Sequence, residues 1–216
     1  MAKRTGSKST GSGRMTRRSY AVDVMTLAPR LLGATLVRLT DEGARLAGRI
    51  VETEAYGGAE DTASHAHKGR RTARNEPMYA AGGTSYVYFT YGMHHCMNVS
   101  SGKADEAQAV LLRALEPTEG LEVMHAHRGA RKDGRPKPET DLCSGPAKLC
   151  QALGLDRSMT GLDLTTHPRL WIEPRPRAPI EADIVTAARV GIGSAGAWVS
   201  APMRWYLGSS PHVSVR

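Results

Sequence analysis

The chain has 216 residues, of which 40% are hydrophobic and 23% are charged, so its composition favours a packed domain over a disordered chain. No apolar run approaches the roughly 20 residues that a membrane-spanning helix needs, which excludes a transmembrane protein. The formal net charge of +8 favours a polyanionic partner. However, residues 1–18 hold six basic residues and no acidic residue, so the remainder carries only +2.

The N-terminal segment 1–18 is rich in Gly, Ser, Lys and Arg, which predicts a basic disordered tail before a single domain at residues 19–216. No apolar stretch follows the basic residues, so we do not expect a secretory signal. The three cysteines form no CxxC pair, which favours free thiols in a cytoplasmic protein.

Strand patterns dominate the first half of the domain. A loosely helical spacing at residues 22–32 precedes a predicted strand at LAGRIVETEAY (46–56). A second strand at TSYVYFT (84–90) is separated by a turn at YGM from a third at CMNVSS (96–101). The apolar run AVLLRALE (109–116) predicts a buried strand, with a helix as the alternative.

Helices are predicted mainly in the second half. Pro146 and Gly154 bracket one in SGPAKLCQALG, and EADIVTAARVGI (181–192) predicts another. A last strand and turn are predicted at MRWYLGSSPHVSV (203–215). Because no βαβ rhythm is present, we expect an α+β fold: a single compact domain with a curved, mostly antiparallel β-sheet, surrounding helices and a protruding β-hairpin.

Three side chains of the first long strand are candidates for chemistry. Side chains alternate along a strand, so Glu52, Glu54 and Tyr56 share one face, with neighbours roughly 6.5 Å apart. Two carboxylates beside an aromatic ring are able to form an acid–base site with a stacking wall. From this segment alone, ordinary charges on a solvent-facing strand edge are the simpler interpretation.

The segment from Thr84 to His95 holds three of the seven tyrosines and the only phenylalanine. Tyr86 and Tyr88 share one face of the strand, while Val87 and Phe89 share the other. Core packing is the simpler interpretation of Tyr86, Val87 and Phe89. Tyr91 precedes Gly92 at the predicted hairpin tip, where a large ring is able to wedge into a base stack.

Arg113 interrupts the apolar run, and a buried guanidinium needs a partner. That partner is either Glu116 nearby or a catalytic carboxylate. The histidine pairs lack HxxxH spacing and no cysteine pair lies nearby, so no metal is expected. GxxxxGK[ST] is missing, and the closely spaced Gly191 and Gly193 are too generic to indicate a nucleotide site, so no cofactor is expected.

Two loops are strongly basic, HKGRRTARN (67–75) and HRGARKDGRPKP (127–138). Either loop alone is most simply solvated surface. Together with the basic tail, the two loops favour contact with phosphates.

Several segments in order resemble the alkyladenine (3-methyladenine) DNA glycosylase family of the mammalian type. They are VETEAY, HAHKGRRTARN, YVYFTYGMHHCMNVSS, VLLRALEP, LCSGPAKLCQALG, AARVGIG and GSSPHVSV. The resemblance covers the chain from about Leu31 to Val215. It implies a monofunctional glycosylase that flips alkylated or deaminated purines out of duplex DNA and hydrolyses the N-glycosidic bond, leaving an abasic site.

The resemblance also implies a role for individual residues. Glu54, rather than Glu52, is the expected general base, and Arg113 and the main-chain carbonyl of Val190 are expected to help it hold the water. The expected base pocket consists of Tyr56 and Tyr88 as a sandwich, the main-chain amide of His65, and Asn98, which excludes the 2-amino group of undamaged guanine. Tyr91 is expected to intercalate, flanked by Met93. Arg70, Arg74 and Lys148 are the expected phosphate contacts.

The chain departs from the family at the hairpin tip, where His94 and His95 replace aromatic residues.

We expect a monomer whose partner is double-stranded DNA with damaged purines, and no membrane contact. The alternative function is a catalytically inert nucleic-acid-binding module, in which Glu54 is incidental. A glycosidase that acts on free nucleosides or RNA is a further alternative.

Overall fold

One antiparallel sheet organises the chain in a computed structural model, which describes residues 13–176, 183–193 and 195–216. Its strands are β1 (Thr35–Leu39), β2 (Arg45–Tyr56), β3 (Ser85–Thr90), β4 (His94–Ser101), β5 (Gln108–Glu119), β6 (Leu170–Glu173), β7 (Ile184–Ala187) and β8 (Arg204–Leu207). The described helices are α1 (Arg17–Tyr20), α2 (Val24–Arg30), α3 (Leu121–Arg128), α4 (Glu139–Leu142) and α5 (Pro146–Leu153). This architecture confirms the α+β class.

The long strand β2 lies at the centre of the sheet, whose order is β3-β4-β5-β2-β1-β6. One edge of β2 pairs with β5 along most of its length. The other edge pairs first with β1, at residues 45–49, and then with β8, at residues 52–54. Residues 52–54 are therefore enclosed by strands on both sides.

Irregular pairing between β2 and β5 aims Arg113 into the space beside the two glutamates. The register shifts between Ile50 and Glu52, and again between Glu52 and Thr53. Glu52 is opposite Ala114 and Thr53 is opposite Leu112, so Arg113 lies between two paired residues of β5. Bulges of this kind redirect a side chain and are frequent beside active sites.

The two faces of β2 have different neighbours. Val51 and Ala55 belong to the apolar core, and the Thr53 hydroxyl between them donates to the carbonyl of Ala28 in α2. Helices α2 and α5 both pack against the sheet. Glu52, Glu54 and Tyr56 alternate with these core residues and share a face, as the sequence predicts.

The predicted hairpin is present as β3 and β4. Tyr86 pairs with Asn98, Tyr88 with Cys96, and Thr90 with His94. At the turn, Tyr91 and Gly92 both have positive φ, of 50° and 68°. Two successive left-handed residues match the twist of a hairpin, but a tyrosine there is uncommon and marks a position of functional interest.

The remaining predicted strands and the helix at Pro146 are confirmed, and one predicted helix is wrong. Residues 184–187 form the strand β7, which pairs with β8. Ile184, Val185 and Thr186 are β-branched, and pairing with β8 satisfies backbone groups that a helix would satisfy internally. Residues 181 and 182 of that predicted helix lie outside the described residues.

The structure also differs from the predicted tail. Residues 1–12 lie outside the described residues, but Met15 is buried and its amide donates to the carbonyl of Ile172 at 2.8 Å. Arg17, in α1, pairs with Asp163 at 2.5 Å. The ordered domain therefore includes residues before the predicted boundary at residue 18. Among the described residues, no helix is long and apolar enough to cross a membrane.

Candidate active site

Glu54 is completely buried beneath a cavity of about 350 Å³. Glu52 is buried to the same extent, so the interpretation of both residues as a solvent-facing edge is wrong. Pairing with β8, which is formed some 150 residues later in the chain, covers that edge. Glu54 does not line the cavity itself, whereas Tyr56, Arg113 and Val190, which contact its carboxylate, all do.

Three groups hold the Glu54 carboxylate. The Tyr56 hydroxyl donates to Oε2 at 2.9 Å, and the backbone amide of Val190 donates to Oε1 at 2.7 Å. The Arg113 guanidinium lies 3.3 Å from Oε1. Glu116 pairs with Arg49 instead, so the prediction of Glu116 as the local partner of Arg113 is wrong. Arg113 reaches the buried carboxylate of Glu54. At Val190 the contact with Glu54 is made by the amide, while the role expected for the carbonyl stays a prediction.

Burial raises the pKa of the Glu54 carboxyl above its usual value, because desolvation disfavours the charged form. Arg113, the Val190 amide and the Tyr56 hydroxyl act in the opposite direction, and the charge of Glu52 adds a smaller increase. A carboxylate with a raised pKa is a stronger base, and here it remains oriented by donors on both oxygens.

Aromatic rings form the wall of the cavity. The rings of Tyr86 and Tyr88 lie 5.3 Å apart, and His65 meets Tyr88 edge-on at 4.6 Å. His65 Nδ1 is 2.8 Å from the Tyr86 hydroxyl. Partial burial and the charges of Arg74 and Arg70 lower the pKa of His65, which keeps the ring neutral at physiological pH.

An arginine guanidinium lies over the ring of each of the two tyrosines that are expected to form a sandwich. Arg189 lies 4.7 Å from the centre of the Tyr56 ring, and Arg74 lies 5.5 Å from that of Tyr88. Both tyrosines line the cavity, whereas neither arginine does. Burial raises the pKa of both phenols, so neither adds a negative charge to the site.

Asn98 is buried on β4 and lines the cavity, where its side-chain amide donates to the carbonyl of Tyr86 at 3.1 Å. That bond fixes the orientation of the side chain at the cavity wall. Its expected role against a 2-amino group stays a prediction.

The hairpin tip is the most exposed apolar feature of the described residues. Tyr91 is 84% exposed and Met93 is 70% exposed, although Tyr91 also lines the cavity mouth. Phe89 is 41% exposed, so its interpretation as a core residue is wrong. It lies near the end of the strand and packs against His95, with ring centres 5.1 Å apart and ring planes tilted by 50°.

The expected phosphate contacts differ in their surroundings. Arg70 and Arg74 line a second cavity beside His65, and Arg74 also donates to the carbonyl of Phe89 at 3.1 Å. Lys148 is already bound to Asp141 and lies 3.4 Å from the Ser144 hydroxyl. In the second basic loop, Arg131 and Arg135 share Asp133 as an ion-pair partner.

Sequence reasoning missed a buried ion pair that supports the cavity. Both guanidinium NH groups of Arg189 donate to Asp61, at 2.5 and 2.8 Å, and one also donates to the carbonyl of Ala55 at 2.9 Å. Asp61 accepts the amides of Gly57 and Ala63 as well. Arg189 thereby holds Tyr56 from behind and precedes Val190. The only sequence signal was its position in AARVGIG, which names no partner.

A second missed feature is the surroundings of Glu52. Its Oε1 accepts hydrogen bonds from Arg204 at 2.8 Å and from Arg113 at 3.2 Å. Its Oε2 accepts the backbone amide of Ser214 at 2.7 Å. No cluster of His, Cys, Asp and Glu suited to a metal occurs within the described residues.

The model of the methylpurine-DNA glycosylase (MPG) family matches residues 18–211. The chain therefore belongs to the methylpurine-DNA glycosylase family, which confirms the resemblance inferred from its motifs.

Relatives in animals and bacteria agree with this assignment. DNA-3-methyladenine glycosylases of Homo sapiens and Mus musculus are 50% and 49% identical, over 88% and 94% of this chain. The chain spans less than two thirds of these relatives, 64% and 62% of their respective lengths. A protein of Carboxydothermus hydrogenoformans, provisionally described as a 3-methyladenine DNA glycosylase, is 45% identical over 92% of this chain and 97% of its own length.

Proposed function

We propose that the protein is a monofunctional DNA glycosylase that removes alkylated or deaminated purines from duplex DNA in base excision repair. The observation that carries this proposal is the buried carboxylate of Glu54 beneath a cavity lined by aromatic rings. Membership of the methylpurine-DNA glycosylase family and the names of the relatives support it.

The reaction that fits this geometry is hydrolysis of the bond between C1′ of the sugar and N9 of the base. A water oxygen bonds to C1′ while the C1′–N9 bond breaks, and the base departs with the bonding electrons. Glu54 accepts the proton of the water and stabilises positive charge that develops on the sugar. Arg113 holds the Glu54 carboxylate during this step. An alkylated purine that carries a positive charge leaves as a neutral base, so it needs no general acid.

The cavity is suited to a flat base that has been flipped out of the duplex. Flipping costs a few kcal/mol. Stacking on aromatic rings returns about 1–3 kcal/mol per base, and a cationic base gains a further attraction to the faces of Tyr56 and Tyr88. In this proposal the amide of His65 contacts the base edge, and Asn98 excludes the 2-amino group of undamaged guanine.

The exposed tip residues are assigned to the duplex. Tyr91 fills the gap left by the flipped nucleotide, with Met93 beside it, because both side chains are apolar and project from the hairpin. Arg70 and Arg74 contact phosphates next to the cavity. Lys148 is the weakest of these phosphate assignments, since Asp141 already binds its charge.

A purely hydrolytic reaction follows from the residues at the cavity. None of the described residues that line it is a lysine, so they provide no amine to attack C1′ and cleave the strand. We further propose that the protein acts as a monomer, without a cofactor or membrane contact, on DNA in the cytoplasm. The three cysteines, which are free and buried, are consistent with that compartment.

The proposal is tested by single-turnover assays on a duplex with one damaged purine, using wild type and Glu54→Gln, with alkali to reveal abasic sites. We expect wild type to excise the base, and Glu54→Gln to bind the duplex without excision. Wild-type turnover in Glu54→Gln would overturn the assignment of the base. Binding without excision by both proteins, across 7-methylguanine, 3-methyladenine and hypoxanthine, would favour an inert binding module. Weak salt dependence of binding would favour action on free nucleosides.

A further inference from the structure

The guanidinium of Arg113 is held by more than the catalytic carboxylate. Its Nε donates to Glu52 at 3.2 Å, and one terminal nitrogen donates to the Ser214 hydroxyl at 3.2 Å. The other terminal nitrogen lies 3.3 Å from Glu54. Two of its three nitrogens are therefore engaged by neighbours, which leaves the third directed at Glu54.

Glu52 is in turn fixed by the C-terminal segment, residues 209–216. The backbone amide of Ser214 donates to Glu52 Oε2 at 2.7 Å, so Ser214 contacts both Glu52 and Arg113. Arg204 of β8 links the same elements, because one nitrogen donates to Glu52 at 2.8 Å and to the carbonyl of Val215 at 2.7 Å. The segment thus contacts residues of β2, β5 and β8 in this cluster.

The charges in this cluster balance. Glu52 and Glu54 face Arg113 and Arg204, and all four residues are buried. If Arg204 were absent, Arg113 would be shared between two carboxylates. With Arg204 present, Glu52 has its own counterion and also acts as an acceptor that orients Arg113.

We propose that Glu52 and Ser214 are positioning residues, which together orient the Arg113 guanidinium toward Glu54 and link the C-terminal segment to the active site through Ser214. The inference rests on the proposed function and deepens it. Both residues reach the cavity only through Arg113, which lines it, so they are positioning residues and not catalytic residues. They act on the reaction through the geometry and charge of Arg113.

The charge of Glu52 should also change the pKa of Glu54. The titratable groups that interact with Glu54 are Glu52 and Tyr56 of its own strand, Arg113 of β5, Tyr88 of β3 and Cys96 of β4. Burial raises the pKa of Tyr56, Tyr88 and Cys96, which stay neutral. Glu52 and Arg113 are therefore the charges in this set, with Arg204 bound to Glu52. Removal of the Glu52 charge leaves two guanidinium groups near one carboxylate, which lowers the pKa of Glu54.

The test compares wild type, Glu52→Gln and Ser214→Ala with two matched controls. Glu116→Gln is the same change at the half-buried pair with Arg49, and Ser209→Ala is the same change in the C-terminal segment, where Ser209 bonds to Asp183. For each protein we measure the melting temperature, duplex affinity, and the single-turnover excision rate of 7-methylguanine as a function of pH.

We expect Ser214→Ala to lose about tenfold in excision rate, because one charge-assisted hydrogen bond to Arg113 is gone, while duplex affinity stays within about twofold. We expect Glu52→Gln to lose about a hundredfold and to move the acid limb of its pH profile to lower pH. Both controls should keep the wild-type rate and profile.

A merely structural role would lower the melting temperature and leave the rate and the acid limb unchanged. A wild-type rate in Ser214→Ala, or a wild-type acid limb in folded Glu52→Gln, would therefore overturn the proposal. If Glu52→Gln does not fold, the excision rate of Ser214→Ala tests the proposal by itself. The pKa of Glu54, followed by NMR of its carboxyl carbon in wild type and Glu52→Gln, needs no catalysis. This titration still tests the charge coupling if wild type excises nothing and the proposed function itself is wrong.

Discussion

The buried pair of Arg189 and Asp61 offers a quantitative prediction about stability. Both side chains are fully buried, and two guanidinium NH groups donate to the two carboxylate oxygens. In Arg189→Met the Asp61 carboxylate loses its counterion but keeps the amide hydrogen bonds of Gly57 and Ala63. Loss of one partner of a buried pair lowers the free energy of unfolding by roughly 3–5 kcal/mol. Because the two amides still stabilise the carboxylate, we expect a loss near the lower end of this range, about 3 kcal/mol.

The assay is reversible urea unfolding together with a thermal scan. For a domain of this size, a loss of about 3 kcal/mol lowers the melting temperature by roughly 6–12 °C. The double variant Asp61→Asn with Arg189→Met should lose less than the sum of the two single changes, because no unpaired buried charge remains.

Arg71 provides a matched control. Its guanidinium binds Glu76 through two nitrogens at 2.9 and 2.6 Å and lies 4.5 Å from the ring of Tyr79, much as Arg189 contacts Asp61 and Tyr56. Its side chain is 46% exposed, so Arg71→Met should leave the melting temperature within about 2 °C of wild type. A loss below about 1 kcal/mol in Arg189→Met, or equal losses in both variants, would refute the reasoning from burial.

Two further predictions concern the reaction and the duplex. Tyr56→Phe removes a hydrogen bond that lowers the pKa of Glu54, so the acid limb of 7-methylguanine excision should move to higher pH in single-turnover assays. An unchanged or lower acid limb would contradict that role of the hydroxyl. Tyr91→Ser should weaken duplex binding by about tenfold or more, since one stacked ring is worth about 1–3 kcal/mol, while binding of the free base changes little. Equal duplex affinity of the two proteins, measured by fluorescence anisotropy, would count against intercalation.

The sequence was sufficient for the strands that carry the site. Alternation along β2 predicts that Glu52, Glu54 and Tyr56 share a face, and the density of aromatic residues predicts the β3–β4 hairpin with Tyr91 at its turn. Both features depend on the period of a strand and on turn chemistry, which are local properties. The family motifs also named the residues that the fold gathers around one cavity, from Tyr56 to Val190.

Burial and charge pairing were decided only by the tertiary structure. The segment around Glu54 is polar enough to suit an exposed edge, and only pairing with β8 buries it. Arg113 has a carboxylate three residues away at Glu116, but the bulges in β2 and β5 direct it to Glu52 and Glu54. The pairing of Arg189 with Asp61 is likewise decided by the tertiary structure, because the two residues are 128 positions apart in the chain.

Two further departures from prediction, at residues 184–187 and at Met15, have the same origin. Residues 184–187 have apolar positions that fit a helix or a strand, and the free edge of β8 selects the strand. Met15 follows a basic, glycine-rich stretch typical of disorder, yet it packs against the sheet beside Ile172. Sequence by itself determined the local periods and the chemical groups of this protein. The partners of those groups are distant in the chain, so only the fold determined which of them are desolvated, paired and oriented for reaction.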